Sequence, residues 1–248
     1  MSRIIFAATC FGTLMVCSIA SSAASISEKC AKLTYSGESE LGNGNLTSAS
    51  KFLEEAVEVC NQAPEKSARP YIAYGKLMYE RQNPEGAIKW FKRALQDEPN
   101  LPLAYMNISA AYFQRRDYQN AVDFGTQAVS SIENQIDNYD PEEAKSLIAK
   151  SAFNVGLAYI AIGGIRNDVS YAKKAEPYFL KTSQYKPEFN QTYYQLGIIK
   201  EAAYQDFKAA ANYYAQSCNM GYTKACDWND GLKDRIPQYR KPLHGVSP

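Results

Sequence analysis

The chain has 248 residues, 46% of them hydrophobic, which suffices for one domain-sized core or one continuous stacked array. Its 27 basic and 26 acidic side chains nearly cancel. That balance excludes nucleic acid as the main partner, which would call for a basic excess.

Residues 1–24, MSRIIFAATCFGTLMVCSIASSAA, place Arg3 before an apolar run from Ile4 to Ala20, then small residues with Ser22 and Ala24 suited to the −3 and −1 sites of a signal peptidase. The expectation is a cleaved signal peptide and an exported protein, periplasmic or secreted. A bacterial envelope is favoured because no other sorting mark accompanies the segment. Two alternatives would tie the chain to a membrane, and only through this segment. One is an uncleaved anchor, opposed by the breaks at Thr9, Cys10, Thr13 and Cys17. The other is lipidation at Cys17, where Val16 is a poor preceding residue. Cleavage removes Arg3, Cys10 and Cys17, leaving 26 basic and 26 acidic groups with Cys30, Cys60, Cys218 and Cys226. Four cysteines in an exported chain point to two disulfides.

Residues 25–67 read as a degenerate helix pair, ISEKCAKLTYSGE and TSASKFLEEAVEVCNQAP, around the turn ELGNGNLT. The GNG is a loop rather than a phosphate cradle, because no GK[ST] follows it. Cys30 lies in the first helix and Cys60 at the end of the second, so an antiparallel hairpin could join them.

From Ala68 a repeat begins. Tyr71 falls on Tyr105, Gly75 on Ser109, Ala87 on Ala121 and Ala94 on Ala128, all at a spacing of 34, a period that marks stacked repeats. A third unit supplies Gly156, Tyr159, Ala175, Phe179 and Pro187, with seven extra residues around IGGIRND between its helices. A fourth supplies Tyr193, Leu196, Gly197, Ala209 and Tyr213. Recurrent small residues let helix axes approach, and Tyr or Phe one turn away fill the space beside them. Thirteen extra residues separate units two and three; there Asp140, Pro141, Glu142 and Glu143 mark a strong helix start, which predicts a helix from Pro141 to near Ile162.

On these residues the chain resembles the tetratricopeptide repeat (TPR) family, in which each 34-residue unit is a pair of antiparallel helices. The resemblance covers roughly residues 68 to 216 and implies an all-α fold, an α-solenoid of helix pairs wound as a superhelix. Its units are 68–101, 102–135, 149–189 and 190–216, followed by a capping helix over 217–235 and a flexible tail over 236–248. The chain departs from the pattern where Met78 and Lys200 replace an aromatic and where Gly125 stands opposite Phe91 of the first unit. The stretch YYAQSCNMGYTKAC resembles Sel-like cysteine-rich repeats, relatives in which cysteines at this spacing join neighbouring helices. The expected disulfides are therefore Cys30–Cys60 and Cys218–Cys226.

The TPR resemblance also implies a concave groove lined by positions 2, 5, 6, 9, 12 and 13 of each first helix. Position 6 holds Ala73, Asn107, Asn154 and Gln195 in successive units. Primary amides donate and accept, so a ladder of them can pair with the backbone of an extended peptide. Around them the mapping places Ile72, Lys76, Met106, Phe113, Lys150, Phe153 and Tyr194. A carboxylate clamp, which some TPR proteins carry, is incomplete: Asn107 and Lys150 match, but Ile72, Lys76 and Asn154 do not.

Catalysis has little material. The only histidine, His244, lies in the tail, and no GxSxG, HExxH or Walker-type run occurs. Two cysteine pairs without CxxC spacing make poor zinc or redox sites, so no enzyme, metal or cofactor is expected. The leading reading is an exported scaffold or adaptor that binds a protein or peptide in its groove. Two others stay open: a structural or surface-anchored protein with an idle groove, and an enzyme or carbohydrate-binding module using some of the 19 tyrosines.

Overall fold

The computed structural model describes residues 10–235, with side chains from 23 to 232. The first nine residues of the expected signal segment, the side chains of Cys10 and Cys17, and the tail 236–248 with His244 lie outside the described residues. The described residues form eleven α-helices and one 3-10 turn, with no strand among them. They fall into two compact units divided after Asn107.

The first unit holds α1 (Cys10–Gly42), α2 (Leu46–Gln62), α3 (Arg69–Glu80), α4 (Pro84–Asp97) and the first part of α5 (Pro102–Gln114). Here α1 pairs with α2, α3 with α4, and α2 lies against α3. α1 runs without interruption past Ala24. The second unit holds the rest of α5, then α6 (Tyr118–Asn134), α7 (Pro141–Arg166), α8 (Ser170–Tyr185), α9 (Asn190–Tyr204), α10 (Phe207–Asn219) and α11 (Thr223–Arg235). From α6 onward each helix packs on the next in chain order, which is how an α-solenoid buries its apolar faces.

The turns inside the pairs repeat one local solution. Gln82, Arg116 and Gln205 take positive φ of 58°, 64° and 53°. Each is followed by Asn83, Asp117 or Asp206, whose side chain accepts from the backbone N–H three residues on. The cap satisfies an orphan donor of the second helix, and this offsets the cost of a non-glycine residue in the left-handed region. Asp140 caps α7 in the same sense, accepting from Glu142 and Glu143 N–H.

α7 continues one turn beyond the expected end, to Arg166, and stops at Asn167 in the left-handed region. The IGGIR stretch is therefore helix rather than connection. The extra length at the start of α7 has a partner: Val129 and Ile132 of α6 pack against Ala144, Ile148 and Ala152. α7 is long and apolar enough to cross a membrane, yet half of its most apolar stretch is buried inside the protein, as suits a core helix between α6 and α8.

Glycine faces an aromatic ring in three pairs. A Cβ placed on Gly75, Gly156 or Gly197 would lie 2.5, 2.7 and 2.5 Å from the rings of Phe91, Phe179 and Tyr214. All three rings are at most 1% exposed, so none can swing aside. Beside them Ala87, Ala121 and Ala175 are fully buried.

The fourth unit departs from the expected register by one residue. Ala210 and Tyr214 are fully buried, not Ala209 and Tyr213. The physical reason is the length of the first helix: α9 and its turn place the start of α10 ten residues after Gly197, whereas α4 starts nine after Gly75. In the second unit of the repeat the small and large partners are exchanged. Ser109 stands in the glycine position and bonds Ala121 O at 2.6 Å, and Gly125 stands where the ring would be, with Val155 of α7 filling the space.

Two disulfides are present. Cys30–Cys60 joins α1 to α2, with Cα atoms 5.0 Å apart, and Cys218–Cys226 joins α10 to α11 at 4.9 Å. Their sequence separations are 30 and 8. By the loop-entropy relation they restrict the unfolded chain by roughly 3–4 and 2–3 kcal/mol.

Two predictions follow from this packing. Gly156→Ala should destabilise the protein by about 1–3 kcal/mol through overpacking on Phe179. Gly164→Ala, with nothing within 4 Å of its new methyl, should gain up to about 1 kcal/mol of helix propensity; urea unfolding of the two variants separates them, and equal responses would refute the packing argument. Likewise, Cys30→Ser with Cys60→Ser should lower the urea midpoint more than Cys218→Ser with Cys226→Ser, the longer loop having more entropy to restore; the reverse order would count against the loop account.

Candidate protein-binding face

On α7, Lys150 and Asn154 are four residues apart and share a face, whereas Phe153 is buried. Lys150 is exposed and Asn154 half-buried. On α9, Gln195 is half-buried and heads a stripe that continues through Ile198 and Ala202. The side-chain amides of Asn154 and Gln195 make no hydrogen bond to any described residue. Each is held in place by its helix while its donors and acceptor remain uncommitted.

The first unit contributes its residues separately. Lys76 on α3 is exposed, Ala73 is fully buried, and Met106 and Asn107 on α5 are half-buried. The Nδ2 atom of Asn107 is enclosed and unpaired, a costly state for an amide donor. In the second unit, Phe113 is half-buried and meets Tyr118 edge-on with ring centres 5.1 Å apart.

Two aromatic residues expected in the groove belong to the core instead. Phe153 is 7% exposed and packs on Phe179 and Phe189, with centroids 5.5 and 4.6 Å away. Tyr194 is 4% exposed among Tyr214, Tyr222 and Trp228. Their rings fill the space between successive helices, so little of either is left for a ligand. Ile72 is buried in the same way.

Sequence pattern alone did not reveal the cluster around Glu176 on α8. Lys200 of α9 bonds its carboxylate at 2.6 Å, and the Tyr204 hydroxyl donates to it at 2.6 Å. Lys200 Nζ also sits 4.5 Å from the centre of the Tyr204 ring. The lysine that replaces an expected aromatic thus makes an ionic link between α8 and α9. Burial pushes the Glu176 carboxyl up, but the hydrogen bonds from Lys200 and Tyr204 and the Lys200 charge outweigh it and hold it below the usual carboxylate range. The Glu176 bond in turn raises Lys200. The only signal in the sequence was the mismatch itself at position 200.

Cys30, Cys60, Cys218 and Cys226 are in disulfides, and no group of three His, Cys, Asp or Glu among the described residues is placed to hold a metal ion.

Since the depressed Glu176 pKa stabilises the fold above the unfolded carboxylate value, that stability should disappear as pH falls through the folded value. Glu176→Gln is expected to cost about 1–2 kcal/mol at neutral pH, the gap to the parent closing below roughly pH 4. Urea melts at a series of pH values check it; a gap independent of pH would exclude the ionic account.

No family model matches the sequence, and no curated protein matches it. Solved structures do resemble it. PilF of Pseudomonas aeruginosa has a TM-score of 0.64 at 16% identity, over 88% of this chain and 97% of its own. A MamA structure has a TM-score of 0.58 at 20% identity, over 76% and 96%. MamA from Desulfovibrio magneticus RS-1 has 0.60 at 17%, over 79% and 96%. At such identities the likeness is one of fold, and the fold is a TPR-like helical solenoid.

Proposed function

We propose that this chain is an exported scaffold whose first-helix face binds a protein partner through an extended segment, acting as an adaptor in envelope or secretory assembly. The observation that carries the reading is the pair of uncommitted amides, Asn154 on α7 and Gln195 on α9, held half-buried on successive first helices. An extended backbone offers alternating N–H and C=O groups, and a primary amide can pair with both. Lys150, exposed one turn from Asn154, adds a cation at the edge of that face. In the other compact unit, Lys76, Met106 and Asn107 are the corresponding candidates.

Export is supported by the N-terminal apolar segment and by two disulfides, which persist in oxidising compartments. The Cys218–Cys226 bridge, in a stretch that resembles Sel-like repeats, staples the last described helix. Binding is favoured over catalysis because the described residues gather no nucleophile, base and orienting group in one place.

The test is affinity capture from the native envelope or secretory fraction, comparing the parent with Asn154→Ala and Gln195→Ala together. A partner retained by the parent should be released at least roughly tenfold more readily by the double variant, the loss of about 1.4 kcal/mol. Undiminished capture would remove this face from the account.

A further inference from the structure

Within the second compact unit, the turn from α7 to α8 is carried on longer arms than the turns beside it. α7 runs ten residues past Gly156, to Arg166, whereas α5 ends five past Ser109, at Gln114, and α9 seven past Gly197, at Tyr204. At about 1.5 Å of rise per residue the surplus is roughly 4–8 Å of helix. On the other arm α8 begins five residues before Ala175, against three before Ala121 in α6 and three before Ala210 in α10. The turn itself is ordered. Asp168 N–H donates to Gly163 O at 3.0 Å, Asn167 takes the left-handed conformation, and the Asp168 carboxylate accepts the Ser170 N–H at 2.9 Å.

The tip is bare. Every residue from 164 to 170 is exposed, and Ile165 and Val169, at 73% and 59%, are the two most exposed large aliphatic side chains among the described residues. One such side chain on a surface means little, but two on one extended turn call for a reason. Around them stand three exposed cations, Arg166, Lys173 and Lys174. Asp168 offsets one of the three, and Glu176, the next carboxylate along α8, is taken by Lys200. The contacts these cations make within the protein leave their charge uncompensated, because the partners are neutral phenols. Arg166 donates to the Tyr171 hydroxyl at 2.6 Å, Lys174 Nζ lies 4.3 Å from the centre of the same ring, and Lys173 Nζ lies 5.1 Å from that of Tyr204.

An apolar apex inside a cationic collar matches the layering of an anionic bilayer surface, where hydrocarbon lies beneath a sheet of phosphates. A convex tip needs no matching pocket there, since lipids part around it, whereas a protein partner would have to supply one. We propose that the α7–α8 turn is a membrane-surface contact: Ile165 and Val169 enter the interface, and Arg166, Lys173 and Lys174 face the phosphates of an anionic phospholipid. Tyr171, half-buried beneath the turn, then sits at headgroup level, the depth at which tyrosine is enriched. The contact is separate from the N-terminal apolar segment. It does not depend on the partner-binding reading above, so either can fail alone.

The full chain, labelled with 15N, is mixed with bicelles of phosphatidylcholine, with or without phosphatidylglycerol, that carry a spin label at the headgroup. With phosphatidylglycerol the amide signals of Ile165 to Ser170 should broaden, while those of Ala144 and Lys145, about 30 Å away at the other end of α7, should not. Without it the same broadening should require at least about tenfold more lipid, given the two net charges of the tip. Arg166→Gln, Lys173→Gln and Lys174→Gln together should abolish that difference between the lipids. Ile165→Ser with Val169→Ser, at two exposed positions, should remove the broadening itself. A tip that does not broaden, that broadens no more than Ala144 and Lys145, or that is indifferent to phosphatidylglycerol overturns the proposal, and none of these readings requires a variant. Broadening that survives in the double serine variant overturns it as well.

Discussion

The distance of closest approach between paired helices governs this protein. Where Gly75, Gly156 and Gly197 face Phe91, Phe179 and Tyr214, no room remains for a methyl group. Glycine is a poor helix former, and its presence inside three helices is sustained by the ring that fills the space a side chain would take. Burying each ring yields about 1.5–3 kcal/mol, more than the propensity lost. Once the axes are that close, the following helices have their positions set by neighbours on one side.

The exceptions obey the same constraint by other means. In α5 and α6 the small and large partners are exchanged, so Ser109 meets Gly125 and Val155 of α7 closes the gap. Between α8 and α9 an ion pair, Glu176 with Lys200, stands where hydrocarbon contact would be usual. A largely shielded pair with a second donor can hold two helices together, because its remaining bonds are satisfied. Each exception keeps the volume and polarity of the contact balanced, even though the residue types change.

The proposed binding face follows from what packing leaves over. Most positions of α7 and α9 around these amides turn inward and are consumed: Phe153 and Tyr194 become core. Asn154 and Gln195, one position along from each, keep their amides uncommitted. The cysteine bridges act at a different place, joining the first described pair of helices and the last, where a repeat array has a neighbour on one side only.

Much of the fold was legible from local sequence. The 34-residue spacing of small and aromatic residues, Asp140 before Pro141 and the pairing of the cysteines each depend on contacts within one helix pair. Such contacts repeat, and repetition is visible in a linear string. Other outcomes needed the tertiary structure, because each residue added to a helix rotates every later side chain by about 100°. The longer span from Gly197 to α10 turned Ala210 and Tyr214 inward in place of their neighbours. The same rotation decided that Phe153 and Tyr194 are core and that Lys200 finds Glu176 on another helix. By itself the sequence determined the period and the start of α7; the packing of one helix against the next decided which side chains remain free to bind.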